Sequence, residues 1–283
     1  MQKLAKLLVA TDLSHRSDRA MRRAFALAKA HDAELIVVSV LDDDLPEDMI
    51  GELHARAERR LEGMCETLGP GVRHSIDLRK GDPSEELREA QQAHQPELSV
   101  IGVHRTRNFF DALRETTMMR LVRLSKTPVL LAREPAEEAY DQVVAAVDFS
   151  PACGVALALA HKLAPAAQVT PVHAVHVPYA SMMSSMARGE DELTRAYLRE
   201  ATAEAQAWSM AQHLPKGRLA PVRVAVGAPY NSLHQAVKDV GATLLCAGAH
   251  GRASAAPAVL GAVANDLMRD PPCDLLIARP GLS

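Results

Sequence analysis

The sequence predicts an α/β fold of two tandem domains, each a doubly wound, five-stranded parallel sheet of Rossmann-like type with helices on both faces. The chain has 283 residues, which is the usual size of two domains rather than one. Several short motifs occur twice, in the same order, along the chain. Within each copy, apolar runs of strand length alternate with amphipathic helical segments. This alternation implies parallel strands joined by right-handed crossovers.

The internal repeat divides the chain into two halves. Apolar runs end in Asp-x-Ser at Asp12 and again at Asp148. A repeat of this kind determines the domain count and the fold together. We therefore expect domains at residues 1–135 and 141–283, joined by a short polar segment. Three later motifs pair in the same order: Gly81-Asp82-Pro83 with Gly227-Ala228-Pro229, Gly102-Val103-His104 with Gly248-Ala249-His250, and Leu130-Leu131-Ala132-Arg133 with Leu276-Ile277-Ala278-Arg279.

The elements of the first half follow from local patterns. Continuous apolar runs are typical of strands buried on both faces. Ser14 is expected to cap the first helix. The third helix should start at Asp82-Pro83-Ser84-Glu85, which combines an N-cap residue, a proline at the first helical position and a glutamate in the first turn. The expected strands are 6–10, 35–41, 72–78, 98–103 and 129–132, and the second and fourth helices are 47–68 and 113–124.

The second half repeats this order of elements. Ser150-Pro151 should open its first helix. Folds of this kind bind ligands at the carboxyl ends of the strands, where the strand order reverses. The loops after the first and fourth strands of each half are therefore the candidate sites. The strands of the second half are expected near 143–147, 169–175, 221–226, 243–247 and 275–278.

Composition excludes several classes of function. The 32 basic and 35 acidic side chains give a net charge of −3, without the basic surplus of a nucleic-acid-binding protein. Four scattered cysteines favour a reducing cytoplasm over a disulfide framework or a structural metal. Every apolar run is too short to span a bilayer, and the N-terminal one is too short for a signal peptide. We expect a soluble cytoplasmic protein with no nucleic-acid or membrane partner.

The loop after the fourth strand of the second half carries a glycine pattern. It reads Gly248-x2-Gly251-x9-Gly261, from a strand end to a helix start. Glycines let a phosphate approach backbone N–H groups closely, and the following helix adds the positive end of its dipole. Asp148 would face the same crevice and could accept hydrogen bonds from an adenine or a ribose. The spacing leaves open the alternative that these glycines only form turns.

Taken together, these motifs make the whole chain resemble a tandem universal stress protein. The resemblance rests on Asp12-Leu13-Ser14, Asp148-Phe149-Ser150, the two Gly-x-Pro helix starts and the Gly248 loop. It implies ATP, with or without magnesium, as the ligand of the second domain. It also implies that the two halves pack as an internal pseudo-dimer, and it leaves further assembly into a homodimer open.

The resemblance carries over to specific residues of the second half. Asp148 and the backbone of Ala146 would contact the nucleoside, and the backbone of Ala174 would contact the adenine edge. The loop itself, Arg252 included, would hold the phosphates. Its predicted cofactor-binding residues are Gly248, Gly251, Arg252, Gly261, Ala262 and Val263.

Two departures from the family pattern modify this expectation. The hydroxyl that follows the last family glycine is replaced by Ala262, so one phosphate hydrogen bond is missing and affinity should fall. In the first half, Arg105 and Glu115 stand where two of the glycines would be, and Glu115 would repel a phosphate chain. We expect the first domain to be mainly a scaffold or a different pocket, in which Arg105 and Arg107 could hold another anion. His104 and His250 are interpreted as solvated loop histidines.

Three functions remain open from the sequence. The preferred one is a stress-response regulator whose second domain binds ATP or a related adenine nucleotide and signals through occupancy rather than turnover. Occupancy would change the loop from Arg252 to Leu260, and an unknown protein partner would read the change. The second is a weak ATPase or autokinase, for which we assign no catalytic residue. The third is an interaction scaffold that binds no nucleotide. The sequence does not identify the partner, the inducing stress or the oligomeric state.

Overall fold

The structure is a computed structural model that describes residues 3–15, 17–41, 47–103, 117–133, 138–175, 192–251 and 260–280. Within these residues, strands and helices alternate as the sequence predicts. The strands are β1 (Lys6–Thr11), β2 (Glu34–Leu41), β3 (His74–Lys80), β4 (Leu98–Gly102), β5 (Val129–Ala132), β6 (Gln142–Ala146), β7 (Gln168–Val175), β8 (Arg223–Val226), β9 (Leu244–Gly248) and β10 (Asp274–Ala278). The helices are α1 (Asp18–His31), α2 (Glu47–Leu68), α3 (Pro83–His94), α4 (Thr117–Leu124), α5 (Pro151–Leu163), α6 (Glu192–Met210), α7 (Pro229–Val240) and α8 (Ala262–Arg269).

The ten strands of the described residues form one sheet in the order β3-β2-β1-β4-β5-β10-β9-β6-β7-β8. The strands of each half are parallel to one another, which confirms the predicted α/β class with a mainly parallel sheet. The two halves do not keep separate sheets, because β5 pairs antiparallel with β10. Both of these strands are fully buried. An apolar strand left at an edge would expose unpaired N–H and C=O groups, and this pairing covers them.

The strand order reverses once in each half. In the first half the reversal lies between β1 and β4, and in the second half between β6 and β9. At such a point, the connections that leave the two neighbouring strands run to opposite faces of the sheet. A crevice therefore remains at the carboxyl ends of these strands. Each half therefore has one crevice in the place where the sequence predicts a site.

Helices cover both faces of the sheet. On one face, α1, α2 and α5 bury their apolar sides in a single core that continues across both halves and that Trp208 of α6 also contacts. On the other face, α3 and α4 pack over the first half, while α4, α7 and α8 share a second core. The crevices open beside this second layer. Among the helices that the structure describes, none combines the length and the hydrophobicity that a bilayer crossing requires.

Helix starts confirm two predicted caps and correct a third. Asp82 accepts hydrogen bonds from the backbone N–H groups of Ser84 and Glu85, both at 3.0 Å. Ser150 Oγ accepts one from Cys153 N at 3.3 Å. The prediction for Ser14 is wrong, since α1 begins at Asp18 with Ser17 at its N-cap. Ser14 instead donates its hydroxyl proton to Asp12 at 2.6 Å. Of the predicted helix 113–124, residues before Thr117 lie outside the described part of the chain.

A buried polar network joins the two halves. Asp274, at the start of β10, is 2% exposed. Its carboxylate accepts hydrogen bonds from Arg23 Nε at 2.9 Å, the Tyr140 hydroxyl at 2.7 Å and Arg133 N at 2.7 Å. Three donors compensate the desolvation of this buried charge. Burial also raises the pKa of Tyr140 well above its ordinary value, so the phenol stays protonated and donates.

Candidate functional site

Asp148 stands at the end of β6 with its carboxylate held in a tight turn. Its Oδ1 accepts hydrogen bonds from the N–H and the hydroxyl of Ser150, at 3.1 and 2.6 Å. Phe149, between them, has a left-handed φ of 62°. The other carboxylate oxygen, Oδ2, faces Gly251, where a Cβ would lie 2.7 Å from it. The turn thus leaves one carboxylate oxygen directed at the glycine loop.

The glycines of the loop are explained by close contact. A Cβ at Gly248 would lie 2.8 Å from Ala152 Cβ and 3.0 Å from Cys153 N, so this glycine lets the start of α5 pack against β9. Gly261 donates its N–H to Ala249 O at 2.8 Å. None of the loop glycines has a positive φ. A left-handed backbone conformation is therefore not the reason for glycine at these positions.

The amino end of α8 presents backbone donors that have no partner among the described residues. Gly261 is its N-cap residue and offers no side-chain cap. The hydrogen bond from Asn265 N to Gly261 O, at 2.9 Å, closes the first turn. Helix geometry leaves the amides of Ala262 and Val263 without carbonyl partners in the helix, and both residues line the cavity described next. These amides and the helix dipole favour an anion there.

A cavity of about 490 Å³ lies at the carboxyl ends of β6, β7 and β9, beside α7 and α8. Every predicted site residue that the structure describes lines it, whereas Arg252 lies outside the described residues. The walls are mostly apolar, and the titratable residues among the described lining are Asp148, His173 and His250. The cavity is lined by Ala146, Val147, Asp148, Val172, His173, Ala174, Pro229, Leu233, Ala247, Gly248, His250, Gly251, Leu260, Gly261, Ala262, Val263 and Ala264.

The strand register directs the backbone of Ala174 into the crevice. β7 continues past the end of β6, and Val147 N donates to Val172 O at 2.9 Å. On the opposite side of β7, Gly227 N donates to Val175 O at 3.1 Å. Because backbone groups alternate sides along a strand, the N–H and C=O of Ala174 point in the same direction as those of Val172. There β6 has ended, and no described residue pairs with these groups on that side, so they can face a ligand.

Two histidines line the cavity, and one differs from its prediction. His250 was expected to be solvated, but its Nδ1 is buried and has no hydrogen-bond partner among the described residues. His173 has its Nδ1 2.8 Å from the carbonyl of Val147, to which it donates, and its ring centroid is 4.4 Å from that of Phe149. No sequence pattern indicated the burial of His250 or the hydrogen bond of His173, because both depend on how β7 and the glycine loop pack together. In the described residues, no group of three or more His, Cys, Asp or Glu could hold a metal ion.

The first half has a smaller cavity of about 350 Å³ in the equivalent place. Strand register equates Val40 with Ala174 and Ile101 with Ala247, and the repeat equates Met118 with Ala264. Larger side chains therefore occupy the space that three alanines leave open in the second half. The predicted obstruction by Arg105 and Glu115, with His104 and Arg107, lies outside the described residues.

Asp12 repeats the turn of Asp148. Its Oδ1 accepts hydrogen bonds from the N–H and the hydroxyl of Ser14, at 3.0 and 2.6 Å, and Leu13 has a φ of 58°. Burial tends to raise the pKa of the Asp12 carboxyl, but the hydrogen bonds from Ser14 outweigh it and the pKa is lowered. Asp12 is therefore ionised at neutral pH.

The fold and these paired sites agree with a family assignment. The sequence model of the universal stress protein family matches residues 3–133 and 139–279. The chain belongs to the universal stress protein family and carries two of its domains in tandem. No curated protein sequence matches the chain.

Solved structures share this architecture. A universal stress protein from Archaeoglobus fulgidus DSM 4304 is 19% identical with a TM-score of 0.70, over 97% of this chain and 98% of that chain. A functionally unknown protein from Pseudomonas aeruginosa PAO1 is 18% identical with a TM-score of 0.63, over 98% of this chain and 93% of that chain. A universal stress protein solved in complex with cAMP is 25% identical with a TM-score of 0.36, over 47% of this chain and 98% of that chain. The first two establish the fold of the whole chain.

Proposed function

We propose that the second half binds ATP or a related adenine nucleotide and that the protein regulates a stress response through occupancy of this site. The observation that carries the proposal is the convergence of three kinds of group on one cavity. These are the Oδ2 atom of Asp148, the backbone edge of Ala174 and the amides at the start of α8, none of which has a hydrogen-bond partner among the described residues. Each matches a different part of a nucleotide.

The ligand would lie across the crevice. The edge of the base would pair with the N–H and C=O of Ala174, and the ribose hydroxyls would donate to Asp148 Oδ2. The phosphates would approach Gly251 and the amides of Ala262 and Val263, where the helix dipole favours negative charge. Small side chains at Ala174, Ala247 and Ala264 leave room for the base. The first half, which has larger residues at the equivalent positions, is a poorer site for a nucleotide.

Binding without turnover fits the residues around the loop. Ala262 supplies no hydroxyl to the phosphates, and the Oδ1 atom of Asp148 already accepts two hydrogen bonds from Ser150. Because the described residues hold no acidic cluster, any magnesium would arrive on the nucleotide, where it would neutralise phosphate charge. We propose that occupancy is reported to a protein partner through the loop from Arg252 to Leu260.

Isothermal titration with Mg-ATP tests this proposal. The wild-type chain should bind, and Gly251→Arg should not, because a Cβ at position 251 meets Asp148 Oδ2 and the long side chain fills the loop. Gly63→Ala is the control, since a Cβ at this helical position has nothing within 4 Å. The control should bind as the wild type does. A flat trace for the wild type would contradict nucleotide binding and favour the scaffold function.

A further inference from the structure

The smaller cavity of the first half has no part in the proposed nucleotide binding. It lies at the carboxyl ends of β1, β2 and β4, beside α3 and α4, and encloses about 350 Å³. That volume is within the range of small-molecule sites. The cavity is lined by Ala10, Thr11, Asp12, Ser17, Val38, Val40, Pro83, Leu87, Ile101, Gly102, Val103, Met118 and Leu121.

The body of this cavity is apolar and compact. Val40, Ile101 and Met118 extend into space that alanines leave open in the second half. Leu87 and Leu121, contributed by α3 and α4, belong to the core on this face. Such walls favour a branched aliphatic or aromatic body, which gains free energy by leaving water.

Among the described residues, the polar end of the cavity offers acceptors and no side-chain donors. The Ser17 hydroxyl donates to Ser14 O at 2.9 Å. Because its proton is used there, the 2.8 Å contact between Thr11 Oγ1 and Ser17 Oγ takes its proton from Thr11. Thr11 Oγ1 also accepts from Leu13 N at 3.1 Å. Both hydroxyl protons are thus committed within the protein, and only lone pairs remain.

The charge of the described lining is negative. Asp12 is the single charged residue of this described lining, and it is exposed at the mouth of the cavity. Arg105 and Arg107, in the loop after β4, lie outside the described residues. Its Oδ1 is held by Ser14, as described above. An ionised carboxylate beside hydroxyl lone pairs attracts a cation that carries several N–H donors and repels an anion.

We propose that the first half binds small organic cations, namely primary amines carried on a compact aromatic or branched apolar body. The ammonium group binds Asp12, with Thr11 and Ser17 as further acceptors, and the apolar body lies between Val40, Ile101 and Met118. The two halves then bind ligands of opposite charge.

Methyl NMR of the full chain, labelled at methionine and isoleucine, tests this proposal because Met118 and Ile101 report directly from the cavity walls. The probes are phenethylamine, 2-phenylethanol and 3-phenylpropionate, which share an aromatic body and differ in charge. Phenethylamine should shift both resonances and bind roughly fivefold more tightly than the alcohol, as a partly exposed ion pair allows. The propionate should bind most weakly.

Two variants separate the contribution of the Asp12 charge to amine binding from the contribution of the cavity's shape. Asp12→Asn keeps an Oδ1 acceptor for Ser14 and should abolish the advantage of the amine over the alcohol. Asp148→Asn, the same change in the second half, should leave it unchanged. Methyl resonances unmoved by all three probes would overturn the proposal, as would equal binding of the amine and the alcohol or tighter binding of the propionate. Competition between Mg-ATP and the amine in the Gly251→Arg chain would also overturn it.

Discussion

Asp12 and Asp148 follow the first strand of each half and form the same turn, in which the serine two residues later donates a hydrogen bond to the carboxylate. The Asp-x-Ser pattern predicted the position of these residues, but it did not predict that only one of the two serines caps the following helix. Ser150 donates to Asp148 and also caps α5, whereas Ser14 donates to Asp12 and does not cap α1, which has Ser17 at its N-cap. A hydroxyl near a helix start can take either role, and the length of the following turn decides which.

Ser150→Ala should therefore cost more stability than Ser14→Ala. The change at Ser150 removes the 2.6 Å hydrogen bond to Asp148 and the acceptor for Cys153 N, and loss of an N-cap typically costs about 1 kcal/mol. Urea unfolding followed by circular dichroism measures both variants. Ser150→Ala should also weaken ATP binding, because the carboxylate is no longer held in place. Equal stability losses in the two variants would contradict the assignment of the cap.

At the scale of elements, the sequence predicted every described strand to within a few residues, because continuous apolar runs bounded by turn residues are strong signals. The repeat also placed the glycine loop and Asp148 at one crevice. Two features were not predictable. The pairing of β5 with β10 depends on contacts between distant segments. The exposure of the Ala174 backbone in the crevice depends on β7 extending beyond the end of β6. Neither leaves a local pattern.

A hydroxyl added at the start of α8 should strengthen phosphate binding. Ala262→Ser restores a hydroxyl beside the free amides, and one added hydrogen bond to a phosphate is worth about 0.5–1.5 kcal/mol. ATP affinity should rise by up to roughly tenfold. Adenosine, which has no phosphate, serves as the control ligand and should bind the variant and the wild type equally. A rise for both ligands would place the effect outside the phosphate site.

At the scale of the whole molecule, the two halves are one structural unit. One sheet runs through both, and the core on one face crosses the boundary. The carboxylate of Asp274 accepts hydrogen bonds from α1, from the residue that follows β5 and from the connecting segment. The sequence showed Arg23 and Asp274 only as ordinary charged residues, since nothing in their surroundings indicates that they meet. Buried ion pairs between distant segments are the feature that sequence patterns disclose least.

Arg23→Met should destabilise the whole chain strongly. It removes the buried ion pair between Arg23 Nε and Asp274 Oδ2 at 2.9 Å, and breaking such a pair by removing one partner typically costs about 3–5 kcal/mol. It also removes the stacking of Arg23 on Tyr140 at 4.3 Å. Arg88→Met is the matched control, because its ion pair with Glu85 is partly exposed and is worth less than about 1 kcal/mol. Thermal unfolding compares the two. Similar losses would show that the network does not join the halves energetically.

The most direct test of the account is a crystal structure of the chain grown with Mg-ATP. It should show the adenine edge against the backbone of Ala174, the ribose at Asp148 and the phosphates at the start of α8. A nucleotide seated only in the first half, or a second-half cavity that stays empty at saturating ATP, would contradict it.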